Sequence, residues 1–396
     1  MLWFTDRSRW EDGHRCPQFR WLKYYSGPKG YGITRAARDL PLLNGGVLHD
    51  ILAKLLLTKP GQTEEHAVII KAGIQDYLAL CKKWGLVEED INFSEQAALL
   101  EGMAWGWLRL RHRALLEEFE ILEVEQEHTV VLDCTCGLGD QAGIKAEHEA
   151  RDCGGIGLMI RPDFVARRRS DGSVGIHDFK TLATRSKSWD EQWERSVQMA
   201  IQSLAVPQAT HYYIHGLVKG ARKWDKYKEC IQQDSVFCYA WHKVGNPPFQ
   251  EEEWRESWDY TTPDGKGHTL KGQGFSLDPT PWTDMRRWVQ QLSSEKLASF
   301  YCTLGPFPRP QFLIGSVLLD LVQQERGWQG LAYDASQGDV YIPKYWTCYT
   351  YGKPCPYMPL CWQEVPGFSE PLSLTYADGK PMFVERDPHH STEVEE

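Results

Sequence analysis

The sequence has no run of about 18 consecutive apolar residues, the length a membrane-spanning helix needs, so no membrane partner is expected. It also lacks the basic start and apolar stretch of a secretory signal, since it opens MLWFTDRSRWEDGHRC. A cytoplasmic location is the expectation. There is no internal repeat and no long low-complexity block. Positive charge is not in surplus either: 44 Lys and Arg stand against 54 Asp and Glu, a net charge of −10. That speaks against a surface coated with nucleic acid and leaves room for a local basic groove.

What is present is ordinary for a folded chain. Hydrophobic residues make up 42% and charged residues 25% of 396, which excludes a wholly disordered protein. The length fits two or three average domains, or one with large insertions. The 17 tryptophans are expected mainly in packing. Eleven cysteines, an odd number with no export signal, point to metal or cluster ligation rather than a disulfide framework.

Helices are predicted at 47–57, 95–122 and 190–205, with two more at about 281–301 and 311–326. Strands are predicted at 121–133, 211–218 and 236–244. The runs 155–168 and 173–180 read as a hairpin turning at Ser170-Asp171-Gly172. A Gly-, Pro- and acid-rich stretch, 245–280, reads as a loop insertion, and the tail 367–396 as poorly ordered. The fold class is therefore α/β, a mixed core with helical additions on both sides.

The densest chemistry lies in 161–180. Alternate strand residues share a face, so Asp178 and Lys180 project together, and a hairpin brings Asp163 beside them. Two adjacent carboxylates repel, and a divalent cation such as Mg²⁺ or Mn²⁺ relieves that repulsion. The ion can polarise a phosphodiester and activate water, while Lys180 orients that water or balances charge on phosphorus. Alone, Asp-x-Lys reads first as a surface ion pair on an edge strand.

The longer pattern is more specific. Arg161-Pro162-Asp163 followed by Asp178-Phe179-Lys180-Thr181 resembles the PD-(D/E)XK nuclease signature, in the variant of the RecB-like exonuclease family. Gly45–Leu52 resembles that family's upstream helix, whose metal-contacting histidine corresponds to His49. Gln198 matches the first position of a Gln-x-x-x-Tyr motif, and Gln202 stands in place of the tyrosine. A weaker acidic motif before the first catalytic strand falls among Glu123, Glu125 and Glu127, which the sequence does not separate. The resemblance implies a restriction-endonuclease-like core, a mixed central sheet flanked by helices. It implies metal ligands His49, Asp163, Asp178 and the Phe179 carbonyl, with Lys180 and Gln198 as further catalytic residues. A single nuclease domain is expected over 1–366, with its core at about 121–244.

Cys348, Cys355 and Cys361 are spaced C-x6-C-x5-C, with Cys16 far upstream. Four thiolates so placed suit a [4Fe–4S] cluster or a zinc ion. The resemblance implies the cluster, since a branch of RecB-like nucleases staples its two ends through one N-terminal and three C-terminal cysteines; zinc is the runner-up. Cys134, Cys136 and Cys153 could form a second metal site but read first as strand-end residues.

Basic residues gather at Arg161 and Arg167–Arg169, at Arg185 and Lys187, at Arg109, Arg111 and Arg113, and between Lys219 and Lys228. Trp21, Tyr24 and Tyr25 could stack unpaired bases. The expected activity is metal-dependent exonucleolytic cleavage of DNA at ends or single strands, in phage or bacterial recombination, repair or DNA degradation. The alternatives are a CRISPR-adaptation-type processing nuclease and a non-catalytic DNA-binding subunit on the same fold. With no G-x-x-x-x-G-K-[ST] motif, unwinding would need a helicase partner; a recombinase or CRISPR-adaptation partner fits equally.

Overall fold

In a computed structural model of the chain, the structure describes residues 2–27, 29–36, 40–83, 93–136, 153–219, 221–224, 230–233, 257–261, 267–271, 289, 293–336, 348–350, 353–361, 372, 374–376 and 379–386. The chain opens with β1 (Trp3–Asp6), α1 (Arg7–Arg15), α2 (Pro17–Tyr24) and β2 (Ile33–Arg35). Three helices follow, α3 (Leu40–Leu56), α4 (Thr63–Lys83) and α5 (Phe93–Trp107). A π turn at Leu108–His112 leads into α6 (Arg113–Glu118). The strands β3 (Phe119–Val124), β4 (His128–Leu132), β5 (Ile156–Ile160), β6 (Phe164–Arg168) and β7 (Val174–Leu182) come next. Then come α7 (Val197–Ala205), β8 (Ala209–Val218), β9 (Tyr301–Pro308), α8 (Gln311–Ser336) and, near the C-terminus, β10 (Phe383–Glu385).

The central sheet has five strands in the order β9-β8-β7-β6-β3. Only β7 and β8 run parallel, joined by the crossover through α7; every other pair is antiparallel. The mixed sheet expected from the sequence is thus present. Residues Gly175 to Phe179 of β7 are all buried, as a central strand covered on both faces must be. Phe179 packs into one core with α3, α4 and α5, and Ile176 into another with α7 and α8. A smaller sheet, β1-β5-β4, borders the second core.

Several boundaries differ from the sequence reading, each for a local reason. The run 155–168 is two strands in different sheets, broken at Arg161-Pro162-Asp163, where Pro162 has no N–H to extend a ladder. The run 121–133 splits in the same way between β3 and β4 at Glu125, whose φ of 49° turns the chain. The helix predicted to reach 122 stops at Glu118. The helix over 190–205 is interrupted at Ser196, whose Oγ caps α7 by accepting from the Met199 N–H. The sheet's β9 edge lies outside the expected 121–244 core. The tail is not wholly unordered, because β10 pairs antiparallel with β2. The strand at 236–244 lies outside the described residues. Within 245–280, the hairpin Ser257–Thr261 with Gly267–Lys271 is described.

Two buried histidines lie side by side on β7 and β8, with His177 Nδ1 3.0 Å from His215 Nε2. Burial lowers both pKa values; His215 falls to about 3, with the Arg111 charge pushing the same way and Asp163 opposing. Both are therefore neutral in the fold, while unfolded imidazoles take up protons near pH 6.5. The unfolded state binds more protons below that pH, so stability is present above it and lost on acidification. The loss is on the order of 1.4 kcal/mol per pH unit for each histidine. Urea denaturation at pH 7.0 and 5.5 should show this loss, with a shallower dependence in His215→Gln. Identical pH dependence in both proteins would disprove it.

Candidate metal and catalytic centre

The acidic residues meet where β6 begins and β7 passes the middle of the sheet. Phe164 pairs with His177, so Asp163, one residue earlier, lies beside Asp178. The Phe179 N–H donates to Asp163 Oδ2 at 2.6 Å, which fixes this carboxylate against the strand carrying the other. From the opposite layer α3 presents His49, whose Nδ1 is 3.4 Å from Asp163 Oδ2. Ligand atoms of His49, Glu125 and Asp163 all fall within 4.8 Å of one another.

Asp178 is fully buried, and its contacts divide by oxygen. Oδ1 accepts from Gln198 Nε2 at 2.5 Å and from Gln202 Nε2 at 3.3 Å. The two glutamines are one turn apart on α7, so they reach the carboxylate from one helix face. Oδ2 faces Lys180 in an ion pair, and the Lys180 ammonium lies 5.6 Å from the centre of the Trp193 ring.

The electrostatics are those of crowded carboxylates. Burial raises the Asp178 pKa, the Asp163 charge adds to it, and Lys180 opposes. Burial also acts to raise Asp163, but its hydrogen bond and ion pair with His49 outweigh that and lower it. Burial together with the Asp163 charge pushes Glu125 up to about 7, against the Arg161 guanidinium 3.0 Å away. For His49, burial favours the neutral ring, yet Asp163 and Asp178 overcome it and raise its pKa. Three carboxylates and one imidazole nitrogen are a donor set suited to Mg²⁺ or, better, Mn²⁺.

The structure thus brings His49, Asp163, Asp178, Phe179, Lys180 and Gln198 to one place. It also separates the three candidate glutamates. Glu125 joins the cluster, Glu123 pairs with His128 at 2.9 Å, and Glu127 is exposed. Gln202 has a contact that the missing tyrosine did not foretell; its spacing of four from Gln198 was the available signal.

The anticipated nucleic-acid surface is redistributed. Arg167 pairs with Glu120, Arg168 with Asp171, Arg185 with Asp190 and Lys187 with Glu191. Tyr24 is buried under Arg9, Lys23 and Arg386, and Tyr25 is stacked with Trp3, Trp21 and Trp328. Neither tyrosine is placed to stack a base. Instead, a cleft of about 540 Å³ opens beside Gln198 and Gln202, lined by Arg7, Lys23, Arg161 and Arg386 along with Asp6 and Glu127.

N-terminal and C-terminal segments of the chain meet in an apolar cluster of their own. Cys16 joins α1 to α2 and, with Cys361, packs against an apolar cluster that contains Cys355. The Cys355 N–H donates to the Cys348 carbonyl at 2.6 Å. Burial raises the Cys355 pKa, and the charges of Cys16 and Cys348 add to it. None of the four cysteines is in a disulfide. A contact that sequence reasoning missed lies nearby. Arg20 and Glu325, both fully buried, form a bidentate pair at 2.8 and 2.6 Å.

The central sheet thus carries Asp163 immediately before β6 and Asp178 and Lys180 on β7, the strand that α7 links to the parallel β8. The chain belongs to the PD-(D/E)XK nuclease superfamily, whose profile matches residues 8–361. Comparison with curated proteins finds no similar sequence. Among the described residues, no helix is long and apolar enough to cross a membrane.

Proposed function

We propose that this protein is a Mg²⁺- or Mn²⁺-dependent deoxyribonuclease that hydrolyses phosphodiesters at DNA ends or in single strands. The observation that carries this reading is the convergence of Asp163, Asp178 and Lys180 at adjoining strand positions, with His49 and Glu125 closing the same cluster. His49, Asp163, Asp178 and the Phe179 carbonyl would hold the ion, with Glu125 beside them. When bound, such an ion polarises the phosphodiester and lowers the pKa of a water.

The chain's own groups supply the rest. Gln198 and Gln202 hold Asp178 by Oδ1 and so keep Oδ2 turned toward Lys180. The Lys180 ammonium orients the attacking water and balances charge growing on the phosphoryl oxygens. Arg7, Lys23, Arg161 and Arg386 line the adjacent cleft, the first three paired with Glu11, Asp12 and Glu125, and would exchange these carboxylates for backbone phosphates, so binding should weaken as salt rises. Loss of the carboxylates would be expected in a purely DNA-binding subunit, and here all are retained. The test is digestion of end-labelled linear, single-stranded and covalently closed circular DNA with Mn²⁺. Linear and single-stranded DNA should be degraded and closed circles spared; equal rates on circles would replace the exonuclease reading with an endonuclease.

The same reading includes a [4Fe–4S] cluster on Cys16, Cys348, Cys355 and Cys361, with zinc as the alternative. The donor set fits, since four cysteines outside any disulfide lie in the region where the chain's ends meet. The cluster's contribution would be structural, tying α1 and α2 to the C-terminal segment. Cys355→Ser is expected to lose iron and lower the melting temperature, whereas Cys81→Ala keeps its iron. Anaerobic purification with iron assay checks this, and stoichiometric zinc in colourless protein would assign the site to zinc instead.

A further inference from the structure

The connection between β4 and β5 carries three cysteines that the nuclease centre does not use. Cys134 and Cys136 follow β4, and Cys153 precedes β5. The antiparallel pairing of Leu132 with Ile156 brings the two ends of this connection together. The sulfurs form one group: Cys134 Sγ lies 3.0 Å from Cys136 Sγ, and Cys153 Sγ lies 3.6 Å from Cys134 Sγ. All three fall within 4.8 Å of one another, and none is in a disulfide. Zinc–sulfur bonds of about 2.3 Å place the corners of a tetrahedral thiolate site roughly 3.8 Å apart, which is the scale of this group.

Two further features suit a bound thiolate. The Gly155 N–H donates to Cys153 Sγ at 3.3 Å, a contact that supports negative charge on sulfur. A Cβ at Gly155 would lie 3.1 Å from the Leu132 carbonyl and 3.2 Å from Cys153 Sγ, so a residue without a side chain is what lets the amide approach. In addition, the turn is held in a constrained shape. Asp133 has a φ of 50°, in the left-handed region that most side chains avoid. Arg326 of α8 clamps it there, donating to Asp133 Oδ2 at 2.5 Å, to the Asp133 carbonyl at 3.0 Å and to the Gly154 carbonyl at 2.7 Å.

We propose that Cys134, Cys136 and Cys153 bind one zinc ion, separate from the nuclease centre and from the Cys16 group, and that it locks the end of β4 and the start of β5 against α8. Three soft thiolates select a d¹⁰ ion such as Zn²⁺ over the hard cations that suit the carboxylates. Three protein ligands leave the fourth tetrahedral position for water or a small ligand. The ion would bear on the nuclease centre through packing, since the small sheet borders the core that packs under α7, the helix that holds Asp178.

The test combines metal analysis with site-resolved cysteine alkylation of the full-length protein. Wild-type protein should carry one zinc per chain in addition to any iron. Cys134 and Cys136 should alkylate at least about tenfold faster once a chelator removes that zinc, and Cys136→Ser should lose the zinc while keeping its iron. Three results would overturn the proposal: zinc content unchanged in Cys136→Ser, alkylation rates unaffected by the chelator, or a disulfide among the three cysteines in unreduced peptides. The alkylation arm uses wild-type protein, so it decides even if the variant does not fold.

Discussion

Asp178→Asn is expected to lower DNA cleavage by about 10³-fold or more while leaving the chain folded and no less stable. Asparagine has the same shape and still offers Oδ1 to Gln198 and Gln202. What it removes is a negative charge in a fully buried position, where burial and Asp163 already oppose ionisation. Losing that charge relieves repulsion in the metal-free protein, so the melting temperature without metal should hold or rise. Lys180 is partly exposed and can turn to water when its partner becomes neutral. A loss of activity with no loss of stability separates a chemical role from a packing role. An Asp178→Asn protein cleaving within tenfold of wild type would remove Asp178 from the centre.

The second large effect is on stability. Glu325→Ala should cost about 3–5 kcal/mol, because it leaves the Arg20 guanidinium buried without its counter-charge. The pair joins α2 to α8, residues more than three hundred positions apart, so its loss loosens the N-terminal segment from the body of the fold. Trp3 Nε1 also donates to Glu325 Oε2 at 2.9 Å, and the Arg20 guanidinium lies 4.6 Å from the centre of the Trp328 ring. Arg20→Met with Glu325→Leu should recover most of the loss, since an apolar pair of similar volume removes both desolvation costs. Urea midpoints of the single and double variants measure this. A Glu325→Ala loss below about 1 kcal/mol, the range of exposed pairs, would show that the pair does not hold the ends together.

The parts of the site that the sequence made legible are those governed by strand periodicity. Asp178 and Lys180 share a face because strand side chains alternate, and Asp163 follows from the turn that makes a hairpin. Gln198 and Gln202 are readable together because four residues make one helical turn. Glu125 could not be separated from Glu123 and Glu127 in the same way. The choice depends on a left-handed backbone at the strand's end, which alternation does not encode. The division of 155–168 between two sheets was hidden because both halves are apolar enough to read as one strand, although Pro162 marked the break. Glu325 was invisible for a different reason. An acid on a long helix normally faces water, and only the distant Arg20 makes its burial tolerable. The zinc candidate stayed ambiguous for want of pairing information, since the β4–β5 register is what joins Cys134 to Cys153.

The most direct measurement is anomalous X-ray scattering from crystals of the wild-type protein soaked in Mn²⁺. An ion bound by Asp163 and Asp178, with His49 or Glu125 completing its shell and oxygen distances of roughly 2.0–2.3 Å, is the predicted result. A manganese peak elsewhere, or full nuclease activity with no manganese at these carboxylates, would contradict the account.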